Sequence, residues 1–282
     1  MAVSEKLKSL VDQMPNPDGR GMYCTDIDKE KIENAIAEIH KGGRANILGL
    51  IDMLGEPGSD QDAKPHYALH CLANYVLIIK DENARRRFCR TVASQLGGDR
   101  SKYVQGFLCQ ELQWAGRKEA TAALGKLLGD EELVEPASMA LAAIGDGAAK
   151  QFVAALPGKE GKCRLNIVQG LGAVGDTQSV GALKQALRDP DREVRLAAGW
   201  GLARIGDGGS VDALLKAADV QPGWERIQAT KHCLVLAENL LAAGRKDLAE
   251  RIYTHLRETR TDSAERYVHD AAKKGLAAAR QG

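Results

Sequence analysis

Residues 193–217 read EVRLAAGWGLARIGDGGSVDALLKA, a run of good helix formers interrupted at Gly206 and enclosing Gly199, Trp200 and Gly201. An internal glycine costs a helix about 1 kcal/mol relative to alanine, so each of these glycines needs a structural reason. One reason is punctuation. Helix-ending glycines recur at Gly116, Gly145, Gly175, Gly206 and Gly244, with separations of 29, 30, 31 and 38 residues. A repeated stop signal with a period near 30 predicts a solenoid of stacked units. Three of these glycines are followed by Asp146, Asp176 and Asp207, residues suited to capping the next helix.

Counting back from each glycine, positions −12, −9, −8, −5, −4 and −1 are apolar or small. Before Gly206 they are Val194, Ala197, Ala198, Gly201, Leu202 and Ile205; before Gly145 they are Leu133, Pro136, Ala137, Ala140, Leu141 and Ile144. Before Gly116 they are Val104, Phe107, Leu108, Glu111, Leu112 and Ala115, with one charged exception. Steps of three and four place the set on one helical face, and the glycine ends the helix in a left-handed conformation. A second amphipathic helix follows each stop, as in Val180, Leu183 and Leu187, or Val211, Leu214 and Leu215, or Thr121, Leu124 and Leu128. The unit is a helical hairpin that cannot bury its stripe alone, so stacking makes the core. An earlier unit fits with Lys80 in the glycine place and Ala68, Cys71, Leu72, Tyr75, Val76 and Ile79 inward. Gly201 then allows close approach of a neighbouring helix.

The stretch DPDREVRLAAGWGLARIGD resembles a HEAT repeat of the phycobilisome-lyase type, through Asp189, Val194, Arg195, Ala198, Leu202, Ile205, Gly206 and Asp207. The match is weaker in neighbouring units: the one ending at Gly145 lacks Val-Arg, and the one ending at Gly175 has Cys163-Arg164. The resemblance implies an all-α fold, a right-handed αα-superhelix whose second helices line the concave side. It is read as five to six divergent hairpin repeats with helical caps. The expected division is a capping segment over 1–62 and a HEAT-like solenoid over 63–282 ending in a capping helix. Within the cap, helices are predicted around Ser4 to Met14, Asp26 to His40 and Ala45 to Leu54, before the loop GEPGSDQDAKP.

Composition agrees with close-packed helices: aromatic residues are 4% of the chain. A formal net charge of +1 provides no global field for nucleic acid or anionic membrane. Cys24, Cys71, Cys89, Cys109, Cys163 and Cys233 are scattered without a C-x-x-C pair and read as reduced, mostly buried thiols of a cytoplasmic protein. Neither a signal peptide nor a membrane-spanning stretch is apparent.

Positions −10, −6 and −2 of the concave helices should point away from the core. They include His70, Asn74, Gln110, Trp114, Glu135, Met139, Leu165, Gln169, Leu196, Trp200, Arg204 and Glu238. Exposed apolar side chains at Trp114, Met139, Leu165, Leu196 and Trp200 would make a mixed groove for a protein or peptide segment, with the two tryptophans as anchors. The alternative is that neighbouring helices cover them.

Other patterns point to structure. His66 and His70 lie four apart on a helix, but no third metal ligand is apparent, and no His-Glu dipeptide of a HEAT-type di-iron hydroxylase occurs. Arg85, Arg86, Arg87 and Arg90 spread around a helix and read as a solvated face. Asp18, Asp26 and Asp28 read as turn and cap residues instead of a calcium loop. The run GLGAVGD at Gly170 to Asp176 lies inside a repeat, where its glycines pack and cap. No catalytic residue, metal or cofactor is assigned. The reading is a non-enzymatic interaction scaffold, with a lyase-like chromophore-handling factor or a HEAT-like nucleic-acid-binding or DNA-repair protein as alternatives.

Overall fold

The computed structural model describes residues 3–17, 27–56, 59 and 63–281. Asp18, Cys24 and Asp26 lie outside the described residues. Every regular element among those described is helical, and the chain divides into two compact units, Met1–Gln151 and Phe152–Gly282. The first holds α1 (Glu5–Val11), α2 (Lys29–Lys41), α3 (Gly43–Asp52), α4 (Ala63–Ile78), α5 (Glu82–Ala93), α6 (Lys102–Ala115), α7 (Lys118–Gly125) and α8 (Val134–Ile144). Helix α9 (Ala148–Ala155) runs across the division. The second holds α10 (Gly161–Val174), α11 (Val180–Ala186), α12 (Arg192–Ile205), α13 (Val211–Ala218), α14 (Trp224–Ala242), α15 (Lys246–Thr259) and α16 (Arg266–Gln281).

Each unit is two-layered. In the first, α2, α4, α6 and α8 pack side by side in one row, and α3, α5 and α7 form the other. In the second, α10, α12 and α14 form a row covered by α11, α13 and α15, and α16 packs on α14 and α15. This is the expected stacking of helical hairpins. The inward positions of α12 are occupied as read, with Val194, Ala197, Ala198, Gly201 and Leu202 buried. Position −7 is buried as well, at Gly199, Cys109 and Ser138, because an inner-row helix touches neighbours on both flanks besides the outer row. Ile79, expected inward, is instead on the surface.

The stops differ in kind, and Gly145 (φ 71°, ψ −68°) has a positive φ without the expected left-handed conformation. Gly175 (φ 70°, ψ 20°) and Gly206 (φ 74°, ψ 27°) are left-handed caps, as expected. Lys80 takes the glycine place with φ 53°, the one positive-φ residue besides glycines among those described. Gly116 departs from the expectation: it is extended, at φ −70° and ψ 155°. A Cβ there would collide with the Leu112 carbonyl and sit 3.2 Å from Ile144 Cδ1, so this glycine is required for space.

The C-terminus of α6 is closed from α5. Arg85 Nη1 donates to Ala115 O at 2.8 Å, and Cys89 Sγ donates to the same carbonyl at 3.2 Å. Arg85 is 3% exposed and also pairs with Glu82 and Glu119, each at 2.6 Å. The expected solvated arginine face is therefore corrected at this position: Arg86, Arg87 and Arg90 are exposed, and Arg85 is a buried tie whose hydrogen bonds to two carboxylates outweigh its desolvation. The hydrogen bond with Arg85 holds the Glu82 carboxyl down at about 2.

In the second unit a series of arginines ties each hairpin to the next. Arg164 pairs with the buried Asp189, and Arg195 donates to the carbonyls of Asp189 and Pro190 and pairs with Glu225 at 2.7 Å. Arg226 forms a two-pronged pair with Glu265. Arg260, 1% exposed, donates to Ala218 O at 2.8 Å and to Asp219. The arginine of the Val-Arg motif is thus one member of a ladder joining repeats.

Gly201 answers the question its position raised. A Cβ on it would sit 2.8 Å from Gly172 Cα, and one on Gly172 would sit 2.8 Å from the Trp200 ring. The two glycines let α10 and α12 touch backbone to backbone, with the indole laid beside the contact. The glycines of GLGAVGD have the roles read from sequence: Gly170 faces the Phe152 ring, Gly172 faces Trp200, and Gly175 caps.

Gly201→Ala should destabilise the protein by about 1–3 kcal/mol through overpacking, read as a lower urea midpoint. Arg85→Met should cost about 3 kcal/mol or more by leaving a nearly buried carboxylate without its cation and the Ala115 carbonyl with only the weak Cys89 thiol donor. Arg86→Met in the same assay should stay within about 0.5 kcal/mol.

Candidate functional site

The expected surface residues of the first unit converge on one face. His70 and Asn74 come from α4, Gln110 and Trp114 from α6, and Glu135 and Met139 from α8, three neighbouring helices of one row. Trp114 is 58% and Met139 52% exposed. Trp114 is nevertheless fixed: its indole N–H donates to Asn74 Oδ1 at 2.7 Å, and the Asn74 amide donates to His70 O at 3.0 Å. The His70 ring lies 6.1 Å from the Trp114 ring, centroid to centroid. Between α6 and α8 a groove of about 680 Å³ is lined by Tyr103, Phe107, Gln110, Glu135, Pro136 and Met139.

Glu111, the charged exception on the apolar stripe, explains His70. Its carboxyl group is buried and meets His70 Nδ1 at 3.1 Å. That hydrogen bond raises the imidazole's proton affinity against the opposing effect of burial. His66, one turn earlier, packs its ring 4.3 Å from Phe107, so the two histidines are committed to different neighbours. Glu111, Tyr103 and Phe107 were not among the sequence-derived site residues. A lone carboxylate on an otherwise apolar stripe is the signal that could have brought Glu111 in, since such a group needs a partner.

In the second unit Gln169, Arg204 and Glu238 are exposed, whereas Leu165, Leu196 and Trp200 are half-buried. Trp200 is held between Gly172 and the Arg204 guanidinium, which stacks 4.9 Å from the ring centroid. The most exposed large apolar side chains here are Trp224 at 58%, Ile227 at 46% and Tyr267 at 58%. None of the three was singled out from sequence. The wider spacing between Gly206 and Gly244 was the available signal: the extra residues extend α14 at its N-terminal end, and Trp224 and Ile227 stand on that extension.

The described cysteines are free, and four of the five are buried. Desolvation pushes the thiols of Cys89, Cys109 and Cys233 up to about 12, which keeps them protonated and poorly nucleophilic at neutral pH. Among the described residues no group of three or more His, Cys, Asp and Glu is arranged to hold a metal ion, and no helix is long and apolar enough to cross a membrane.

Because His70 binds its proton more tightly when folded, the pair's contribution is fully present below the unfolded-state value of about 6.5. It is lost as pH rises through the higher folded-state value. Urea unfolding of the parent and of His70→Gln should therefore show a stability gap that is largest near pH 5.5 and narrows by pH 8.5.

With this geometry in place, comparison with known proteins is informative. Residues 149–234 match the family model of HEAT repeats. Comparison with the sequences of curated proteins gives no match. Among solved structures, the Kap95:Nup1 complex matches with a TM-score of 0.51 at 11% identity, covering 97% of this chain and 44% of that one. This chain thus spans less than half the length of that structure. The CpcE–CpcF complex of phycocyanin lyase from Nostoc sp. PCC7120 matches at 0.41 and 18% identity, covering 82% and 94%. The HEAT-like repeats protein from Thermococcus onnurineus NA1 matches at 0.38 and 15% identity, covering 87% and 97%. The period and the two-layered stacking show an all-α protein of stacked helical hairpins, which over residues 149–234 matches HEAT repeats.

Proposed function

We propose that the protein is a non-enzymatic scaffold that grips a segment of another protein on the inner-row face of its first unit. The observation carrying this reading is Trp114, a large aromatic left more than half exposed and held there by a hydrogen bond to Asn74 of the neighbouring helix α4. An exposed indole forgoes burial worth about 1.5–3 kcal/mol. Holding it rigid lowers the ordering cost of binding, a property of anchor residues.

Around that anchor, Tyr103 and Met139 supply further apolar surface, and Gln110 and Glu135 supply polar groups that fix the register of an extended chain. The Kap95:Nup1 structure, in which a protein of the same fold type is complexed with another protein, supports this class of occupant. The high-pKa thiols favour a binding role over thiol chemistry. In the second unit, Arg204 and the exposed Trp224 and Ile227 are candidates for secondary contacts. The residues before 63 are proposed to cap the repeats.

Selection of peptides from a displayed random library against the full chain tests the reading. Enriched peptides should share an apolar or aromatic residue, and their affinity should fall about tenfold or more in Trp114→Ala, a loss of about 1.4 kcal/mol or more. The urea midpoint of Trp114→Ala should remain close to the parent's. Peptides that bind this variant and Met139→Glu as tightly as the parent would remove the proposal.

A further inference from the structure

The second unit contains a cleft with no role in the surface just described. It has a volume of about 600 Å³ and lies among α11, α12, α13 and α14. Its walls are apolar, with Leu187, Leu196, Leu214 and Val220 among them, and Gly199 is part of the lining. Beside Gly199 stands His232. A Cβ on Gly199 would lie 2.9 Å from His232 Nδ1, so the glycine is what lets the ring pack close against α12 at the edge of the cleft.

His232 is 7% exposed and makes no hydrogen bond to any described residue. Its ring nitrogens are not sealed from solvent, so a group bound in the cleft can reach them. Desolvation lowers its pKa to about 4, so at neutral pH the ring offers one donor and one acceptor and carries no charge. The hydrogen-bonding groups in the cleft are thus of two kinds, a neutral pair on His232 and charges on the rim.

The rim has an excess of cations. Of the two carboxylates lining it, Asp212 pairs with Arg251 and Glu225 with Arg195. Lys184 pairs with Asp207 at 2.9 Å. Arg188 and Lys216 remain, exposed and without an ion pair to any described residue.

We propose that this cleft binds a small amphipathic carboxylate: an apolar body along Leu187, Leu196, Leu214 and Val220, a carboxylate at Arg188 and Lys216, and a hydroxyl or carbonyl group at His232. Each part of that ligand matches a separate feature of the cleft. A neutral apolar molecule would leave the two cations unused, and a plain fatty acid would leave the imidazole unsatisfied.

The test uses the full chain and three probes: 10-hydroxydecanoate, decanoate and 1,10-decanediol. The readout is NMR of the His232 ring and of the Leu196 and Leu214 methyl groups. The hydroxy acid should give saturable shifts of all three groups and bind about tenfold more tightly than either other probe. In the double variant Arg188→Ala, Lys216→Ala its advantage over the diol should vanish while its advantage over decanoate persists. In His232→Leu the reverse should hold. Gly199→Ala, whose methyl would displace the His232 ring, should weaken all three probes.

If His232→Leu does not fold, the imidazole shifts in the parent protein decide the matter, because a ligand bound elsewhere would leave them unmoved. Shifts that do not saturate, or equal affinity for the three probes, would overturn the proposal.

Discussion

The structure depends on side chains that reach from one helical hairpin into the exposed end of the next. A helix leaves its last four carbonyls unsatisfied, and a stack of short helices multiplies such ends. Arg85 and Arg260 meet such carbonyls at Ala115 and Ala218, while Arg195 and Arg226 join a turn carbonyl before their own helix to a carboxylate further along the chain. A guanidinium suits the task because its planar fork of donors can serve a carbonyl and a carboxylate together while remaining charged. Where a left-handed glycine already closes the helix, as after α12, Asn239 assists by donating to Ala203 O.

That arrangement frees the exposed positions of the inner row for other uses. In the first unit the available side chains are organised around a carboxyl group placed on the buried stripe: Glu111 orients His70, and Asn74, bonded to the His70 carbonyl, orients Trp114. Rigidity of an exposed aromatic is thereby built from its neighbours and not from its own burial. In the second unit the corresponding tryptophan is used differently. Trp200 fills the space beside two glycines and is covered by Arg204, so it contributes to the joint between α10 and α12 as well as to the surface.

Glycine serves three separate physical ends along the chain. Gly175 and Gly206 provide a backbone conformation, Gly172 and Gly201 provide helix contact, and Gly199 provides room for a side chain of another helix. Only the first is visible as periodic punctuation. The second was legible from Gly201 because a glycine in mid-helix demands a packing explanation. The third required knowledge of which residue stands opposite, here His232 on a helix more than thirty residues away in sequence.

The sequence by itself determined the all-α class, the hairpin period, the inward stripe and most of the exposed inner-row residues. These follow from helix geometry, which maps spacing in the chain directly onto faces. Tertiary structure alone decided that Arg85 is buried, that Gly116 is extended, that Ile79 is exposed and that Trp200 is half-covered while Trp114 is not. The outcomes at Arg85, Gly116 and Trp200 are set by what the adjacent helix presents, a carbonyl, an isoleucine or a glycine. Periodicity fixes the direction in which a side chain points and carries no information about the group it meets.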